Sequence, residues 1–384
     1  MKKRKRQDMS EGGVAAPRRG FERRVSGWVN AGSPSRLSSH SGSYLPTHQT
    51  PTMIEVISPT AANNSHINGV GAGLRSDQPS PPPKNEPTRC DTTNTYQYLQ
   101  WQELYETEKP FQILLDIPED SPEQRRHNLV FEDGPVETVH DVRGRESEYS
   151  LDKNGFTYIK RASNMAPDDF TNRDKVTNVF LPELEAMLKE TLDDVDQVFI
   201  YDYRRRQTGD HPLHGKTVDF NDKLTPLGPA TQVHLDQSPK SVVQRVLQFL
   251  PDQASHLLRG RVQLINMWRP TNGPVEDWPL SVCDATTLPE EQLVECDRIR
   301  RAFLGCTMYV KYVEGIKWHY MSRQDNDDLL VFKTFDSDSD VPARYSVHGA
   351  FSWKEAPDPP KPRCSIEVRA LVFTYPETLE RKKN

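Results

Sequence analysis

Cysteine is scarce in this 384-residue chain: the five present (Cys90, Cys283, Cys296, Cys306, Cys364) are scattered and no two form C-x-x-C. An odd, dispersed set excludes a disulfide framework and a cysteine zinc site, and it suits a reducing compartment. Long hydrophobic runs are missing as well. Nothing approaches the roughly 18 consecutive apolar residues that a spanning helix needs. Nor is there an excess of positive charge: the formal net charge is −6, which argues against a nucleic-acid-binding role. The start, MKKRKRQDMSEGG, is basic but lacks the apolar stretch of a secretory signal. The expected location is therefore cytoplasmic, with KKRKR as a nuclear import signal the competing reading. Internal repeats are absent.

What is present divides unevenly. Residues 1–92 are rich in Ser, Pro, Gly and Asn, including SPSRLSSHSGS and QPSPPPKNEP, and hold no lasting hydrophobic period. Such a segment buries too little to offset its ordering entropy, so a disordered basic tail is expected. Residues 93–384 are long enough for one full core. Aromatics in YQYLQWQELY recur at helical spacing, and short strand-like runs follow at 111–116, 127–133 and 155–161, with EDGPVE read as a turn. A helix is expected over 178–192, where Phe180, Leu184, Leu188 and Leu192 share a face. QVFIYDY (197–203) reads as a strand entering a loop whose run Arg204, Arg205, Arg206 reads as a solvated face, the competing reading being contact with an anionic substrate or cofactor. His211 and His214 in that loop are ordinary histidines, because Pro212 forbids the regular helix a His-x-x-His metal pair needs.

Beyond residue 230 the chain turns β-rich. Strands are expected at 261–268, 279–284, 307–313, 317–321, 329–335, 344–351 and 365–375, with an acidic helix over 289–304. Many short strands at regular spacing predict a mostly β domain with flanking helices, a sandwich or barrel. Asp327, Asp328 and the acids of 336–340 read as solvated turn residues.

The organising stretch is TQVHLDQSP (231–239). Val233 and Leu235 alternate with His234 and Asp236, and residues i and i+2 of a strand share a face. An imidazole and a carboxylate can then aim at one point. Ser238 and Pro239 are the cap and first position of a helix with Val242, Val246, Leu247 and Leu250 facing inward. A lone His-x-Asp carries little weight. With one distant histidine it makes the facial triad that holds Fe(II) and leaves positions open. His348, in YSVHGAF and followed by the small Gly349, is the expected third ligand; His319 in KWHYM is the competitor. Arg369 sits in the apolar strand IEVRALVF, where a guanidinium needs an anion. It would either grip a carboxylate ligand with its planar fork or pair with Glu367 on the same face. Trp268 and Arg269 in WRP would wall a substrate pocket and hold an acidic group, or serve as core and surface.

In the order His-x-Asp, distal His, Arg, the chain resembles the Fe(II)/2-oxoglutarate-dependent oxygenases. QVHLDQSP, LRGRVQLINMWRP, DLLVFKTFDSD, VHGAF and SIEVRALVFTYP resemble the fungal AsaB-like hydroxylase/desaturase family, over about residues 93–380. The resemblance implies a double-stranded β-helix (jelly-roll) core and His234, Asp236 and His348 as iron ligands. It implies Arg369 as the clamp for the distal carboxylate of 2-oxoglutarate, with O2 as the other co-substrate. The pattern departs here: Arg369 is not followed by a serine two residues on and lies far beyond the histidine. Tyr309 is the expected helper hydroxyl, and Arg363 a weaker clamp. The implied activity is hydroxylation or desaturation of a small natural product in secondary metabolism. Two other classes compete: a non-catalytic β-sandwich whose basic tail binds an acidic partner, and a jelly-roll iron enzyme that does without 2-oxoglutarate.

Overall fold

A computed structural model describes residues 89–115, 117–209, 222–300 and 303–383. The basic tail, His211 and His214 lie outside the described residues. The strands in chain order are β1 Thr92–Leu99, β2 Phe111–Ile113, β3 Phe131–Asp141, β4 Phe156–Lys160, β5 Gln197–Gln207, β6 His234–Leu235 and β7 Arg261–Pro270. They continue with β8 Leu280–Cys283, β9 Leu293–Arg300, β10 Phe303–Val310, β11 Trp318–Tyr320, β12 Asp328–Asp336, β13 His348–Ala350 and β14 Cys364–Thr374. Two facing sheets result. One runs β1-β3-β11-β8-β13-β6-β10-β9-β2 and the other β4-β12-β7-β14-β5. Curled against each other, they form the double-stranded β-helix.

The central strands of the smaller sheet, β12, β7 and β14, are buried on both faces, which explains why they read as nearly continuous apolar runs. On β14, Ile366, Val368, Ala370 and Val372 face outward, packing under the helix Leu181–Thr191 through Phe180, Leu184, Met187 and Leu188. Leu371 and Phe373 face inward, toward Val233 and Leu235 of the larger sheet. Each such fully buried side chain contributes on the order of 1.5–3 kcal/mol. Glu367 and Arg369, of the same inward parity, are the charged interruptions in this run. No helix among the described residues is long and apolar enough to cross a membrane.

Four expectations give way. YQYLQWQELY begins as strand β1, and Tyr96 and Tyr98 are buried with even spacing, Tyr96 stacked on Trp318 at 4.1 Å. EDGPVE is not a turn: β3 runs through it, paired with β1. The acidic stretch 289–304 is not a helix but the hairpin β9–β10. Its acids Glu295 and Asp297 share one strand face, where Lys109 bridges them at 2.9 and 2.7 Å, while Cys296 is buried on the other. Asp328 and Asp336 are not solvated. Asp328 is buried against Lys160 (2.9 Å) and Arg143 (3.2 Å), and Asp336 against Lys333 (2.6 Å) and Arg261 (2.7 Å). Turn acids inside a sheet survive only when paired this way.

Candidate metal and co-substrate site

The His-x-Asp segment forms only a two-residue strand, but that strand lies between β13 and β10, so His234 pairs with His348 on one side and Tyr309 on the other. Val233 and Leu235 fill the core on the opposite face. Ser238 then starts the helix Pro239–Phe249 by accepting from the Ser241 amide. The strand stops at Leu235, so Asp236 sits in the turn that leads into this helix. Val242 and Val246 of the helix are buried as expected, whereas Leu247 is exposed.

His234, Asp236 and His348 converge: each offers a ligand atom, and these atoms lie within 4.8 Å of one another, all three residues buried. The imidazole rings stand 4.4 Å apart between centroids. Nδ1 of His234 lies 2.8 Å from the Gln232 carbonyl oxygen. A carbonyl only accepts, so Nδ1 carries the proton and Nε2 keeps its lone pair for a metal. His348 is more exposed to the question, since both of its ring nitrogens are buried without a hydrogen-bond partner. Orphaned buried nitrogens are rare without a missing partner. Burial, with His348 next to it, pulls His234 down to about 3, and burial pulls His348 down to about 4. Burial works to raise Asp236, but the charge and hydrogen bonds of Arg369 outweigh it and hold the carboxyl well below its usual range. Two neutral imidazoles and an ionised carboxylate at neutral pH are the protonation states a divalent metal requires. Gly349 turns its bare face toward the backbone of residues 230–232 rather than the site. His319, the competing ligand, is buried elsewhere, among Tyr149, Phe156 and His140.

Arg369 reaches the site, but its fork is occupied. Nε and Nη2 donate to Asp236 Oδ2 and Oδ1 at 2.8 and 3.1 Å, Nη2 also to Glu367 at 2.8 Å, and Nη1 to Asp202 at 3.3 Å. Asn266, fully buried on β7, donates one amide to both Asp236 (2.5 Å) and Glu367 (2.8 Å). Arg369 therefore holds an iron-ligand candidate in place, and the pair with Glu367 forms too. No hydrogen bond joins Tyr309 to Arg369 among the described residues; Tyr309 packs edge-on against Phe131.

Arg363 changes rank. It is 1% exposed at the entrance to β14, its guanidinium 5.5 Å over the Trp268 ring, and its Nε and Nη2 are buried without a partner. Two residues on, sharing strand parity, the Ser365 hydroxyl is likewise buried and unpartnered. The Arg-x-Ser spacing missing after Arg369 is thus present at Arg363, and the sequence contained that signal. Trp268 belongs to one apolar cluster with Leu280, Val282, Leu330 and Phe332. Phe332 touches the His348 ring at 4.7 Å, so this cluster links the histidine to Arg363. Arg269 turns the other way, donating to the Arg161 carbonyl beside Phe180, so it holds no acidic group in the site.

On the Asp236 side the site opens into a cavity of about 230 Å3, also lined by His234, Tyr309 and Arg369. Its walls carry arginines that the sequence had not placed at the site. Arg204 and Arg206 are not a solvated run: β5 continues through them and turns both inward. Opposite Arg369, β5 has one residue more than β14, a bulge that leaves Tyr201 unpaired beside Asp202. Arg298 and Arg300, hidden by the helix expectation for 289–304, line the cavity from β9.

Comparisons with known proteins agree. The family model described as an oxidoreductase/YMDC permease-like domain matches residues 96–373. An alpha-ketoglutarate-dependent dioxygenase, phiK, from a fungal species is 34% identical over 61% of this chain and 82% of its own length. Aspirochlorine biosynthesis protein N of Aspergillus oryzae is 38% identical over 36% of this chain, which spans 58% of that protein. Among solved structures, the iron and alpha-ketoglutarate-dependent endoperoxidase NvfI superposes with a TM-score of 0.63 at 25% identity, over 74% of this chain and 98% of that one.

Proposed function

This chain belongs to the fungal Fe(II)/2-oxoglutarate-dependent hydroxylases and desaturases, and we propose that His234, Asp236 and His348 hold its iron while Arg363 and Ser365 seat the distal carboxylate of 2-oxoglutarate. It is a non-haem dioxygenase of secondary metabolism that acts on a small molecule. The observation that carries the ligand assignment is the convergence of three buried ligand atoms within 4.8 Å, two of them on His348 and His234 without competing hydrogen bonds at the metal-facing nitrogen. When bound, iron with 2-oxoglutarate and O2 supplies an oxidant able to take hydrogen from an unactivated carbon, leaving succinate and CO2.

The chain's own residues orient and enclose. Asn266 and Arg369 fix the Asp236 carboxylate from the opposite sheet, and outer partners of this kind are typically worth 10–100-fold in metal affinity. Arg363 offers two unused donors and Ser365 a hydroxyl. The apolar floor of Trp268 and Phe332 suits the methylene chain of a dicarboxylate lying between His348 and Arg363. Arg369 as the co-substrate clamp and Tyr309 as its helper are the weaker assignment, because the fork of Arg369 is taken by Asp236 and Glu367. Whether the outcome is hydroxylation or desaturation follows from how closely the substrate carbon is placed, to fractions of an ångström.

The test is anaerobic titration with Fe(II) and then 2-oxoglutarate, watched for the visible charge-transfer band. Wild type is expected to bind one iron and develop the band. His348→Ala and His234→Ala are expected to stay folded by circular dichroism and bind none. Tight iron retention by both variants would refute the triad.

A further inference from the structure

The loop between β7 and β8, residues 271–279, closes on the segment that leads into β14, and four consecutive residues are held there. The Lys361 amide donates to Glu276 at 2.9 Å, and the Asn272 side chain donates to the Pro362 carbonyl at 2.9 Å. The Cys364 amide donates to Asn272 Oδ1 at 2.8 Å. Arg363 receives the closest grip. Its amide donates to Asp277 Oδ1 at 2.9 Å and to the buried Thr208 hydroxyl at 2.7 Å. That hydroxyl in turn donates to Asp277 Oδ2 at 2.7 Å, and the Thr208 amide returns a bond to the Arg363 carbonyl at 3.0 Å. Asp277 therefore acts on the main chain of Arg363, and no ion pair joins it to the guanidinium among the described residues.

The guanidinium is held separately. Nη1 donates to the Trp278 carbonyl, and Trp278 stands at φ +40°, left-handed backbone that a residue with a Cβ adopts only at a cost. Bracing the entry to a strand does not need that distortion; turning a carbonyl onto Nη1 gives it a use. With Nη1 taken, Nε and Nη2 remain, buried without a partner among the described residues. They form the edge of the fork whose N–H bonds run parallel. Arg369 shows what this edge does, for there Nε and Nη2 hold the two oxygens of Asp236.

Resting on Arg363 and Ser365 as the co-substrate seat, we infer that Asp277 and Thr208 are positioning residues for it. They fix the main chain of Arg363 against the Trp278 carbonyl, so that Nη1 is occupied and the Nε–Nη2 edge is kept for the distal carboxylate. A flexible side chain is thereby ordered before the dianion arrives. Charge alone predicts the opposite sign, because a carboxylate close to a cation weakens its pull on an anion.

The experiment titrates the anaerobic Fe(II)-loaded protein with 2-oxoglutarate and with 2-oxopentanoate, the same chain without the distal carboxylate, following the charge-transfer band. Arg363→Gln is expected to weaken 2-oxoglutarate ten-fold or more. Asp277→Ala and Thr208→Val are each expected to weaken it five-fold or more, with iron and 2-oxopentanoate affinities within two-fold of wild type. Thr208→Ser, which restores the hydroxyl, is expected to stay within two-fold throughout. In the Arg363→Gln background, Thr208→Val is expected to add less than two-fold. Unchanged or tighter 2-oxoglutarate binding by either folded variant, Asp277→Ala or Thr208→Val, overturns the inference. So does an equal loss for both acids, or a full further loss in the Arg363→Gln background, which would make the clip a general brace. Wild-type affinity in Arg363→Gln removes the seat and this inference together. A loss in Arg363→Gln that neither Asp277→Ala nor Thr208→Val reproduces sinks this inference alone.

Discussion

Arg363 and Arg369 stand six residues apart with the same strand parity, yet their surroundings ask different things of them. Arg369 meets Asp236, Glu367 and Asp202, so its charge is spent on holding the carboxylates still. Arg363 meets an indole ring and the Trp278 carbonyl, and two of its nitrogens have no hydrogen-bond partner. The two substitutions should therefore separate. Arg363→Gln is expected to raise the KM for 2-oxoglutarate ten-fold or more, about 1.4 kcal/mol of lost binding, while iron affinity holds. Arg369→Gln is expected to weaken iron binding by roughly 10–100-fold. Steady-state succinate formation and Fe(II) titration on both variants decide it, and a reversed pattern would restore Arg369 as the clamp. Sequence alone could propose the histidines, because i and i+2 parity needs no tertiary knowledge. It could not decide between the arginines, because only the register of β14 against β5 and β7 says which anion each one meets.

Elements that present one side chain each to the site were less legible. In LVECDRIR, opposite charges three residues apart, Glu295 with Arg298 and Asp297 with Arg300, imitate a helix surface. The strand reading works because the acids go to Lys109 on one face and the arginines to the cavity on the other. Long-range pairing overrode local pattern. The helix after Asp236 was legible, since Ser-Pro signals its start. Ser238, wholly buried, accepts from the Ser241 amide at 3.3 Å, and its own amide donates to the Cys306 carbonyl at 2.7 Å. Ser238→Ala is expected to lose about 1 kcal/mol of stability in urea denaturation. It should also soften the seat of Arg245, about two helical turns further on. An unchanged midpoint would mean that the packing of Val242 and Val246 alone fixes this helix.

Across the whole molecule, three buried histidines bind the fold to pH. Burial takes His319 down to about 4, alongside His348 at about 4 and His234 at about 3. The unfolded chain protonates its histidines near pH 6.5. A lowered folded-state value means the stabilisation is complete above that pH and is lost as pH falls toward 4. Each histidine contributes a slope of up to about 1.4 kcal/mol per pH unit. His319 lies away from the triad in an aromatic pocket, and its Nδ1 has no partner. His319→Phe is accordingly expected to flatten the fall in melting temperature of the iron-free protein between pH 6.5 and 4.5. An identical slope would show that His319 titrates freely in the folded chain.

The strand that carries Arg363's neighbour Ser365, then Glu367 and Arg369, comes last in chain order among the described strands, and it inserts between β5 and β7. During translation, every earlier strand of the sandwich is therefore synthesised before Arg369, the charged partner of Asp236, leaves the ribosome. A nascent chain halted at residue 362 has His234, Asp236, His348 and Asn266 but lacks Arg369 and the Arg363–Ser365 pair proposed above for the co-substrate. With that pair as the co-substrate seat, oxidative chemistry would wait for the last strand to close the barrel, and the unfinished polypeptide would be spared its own reagent.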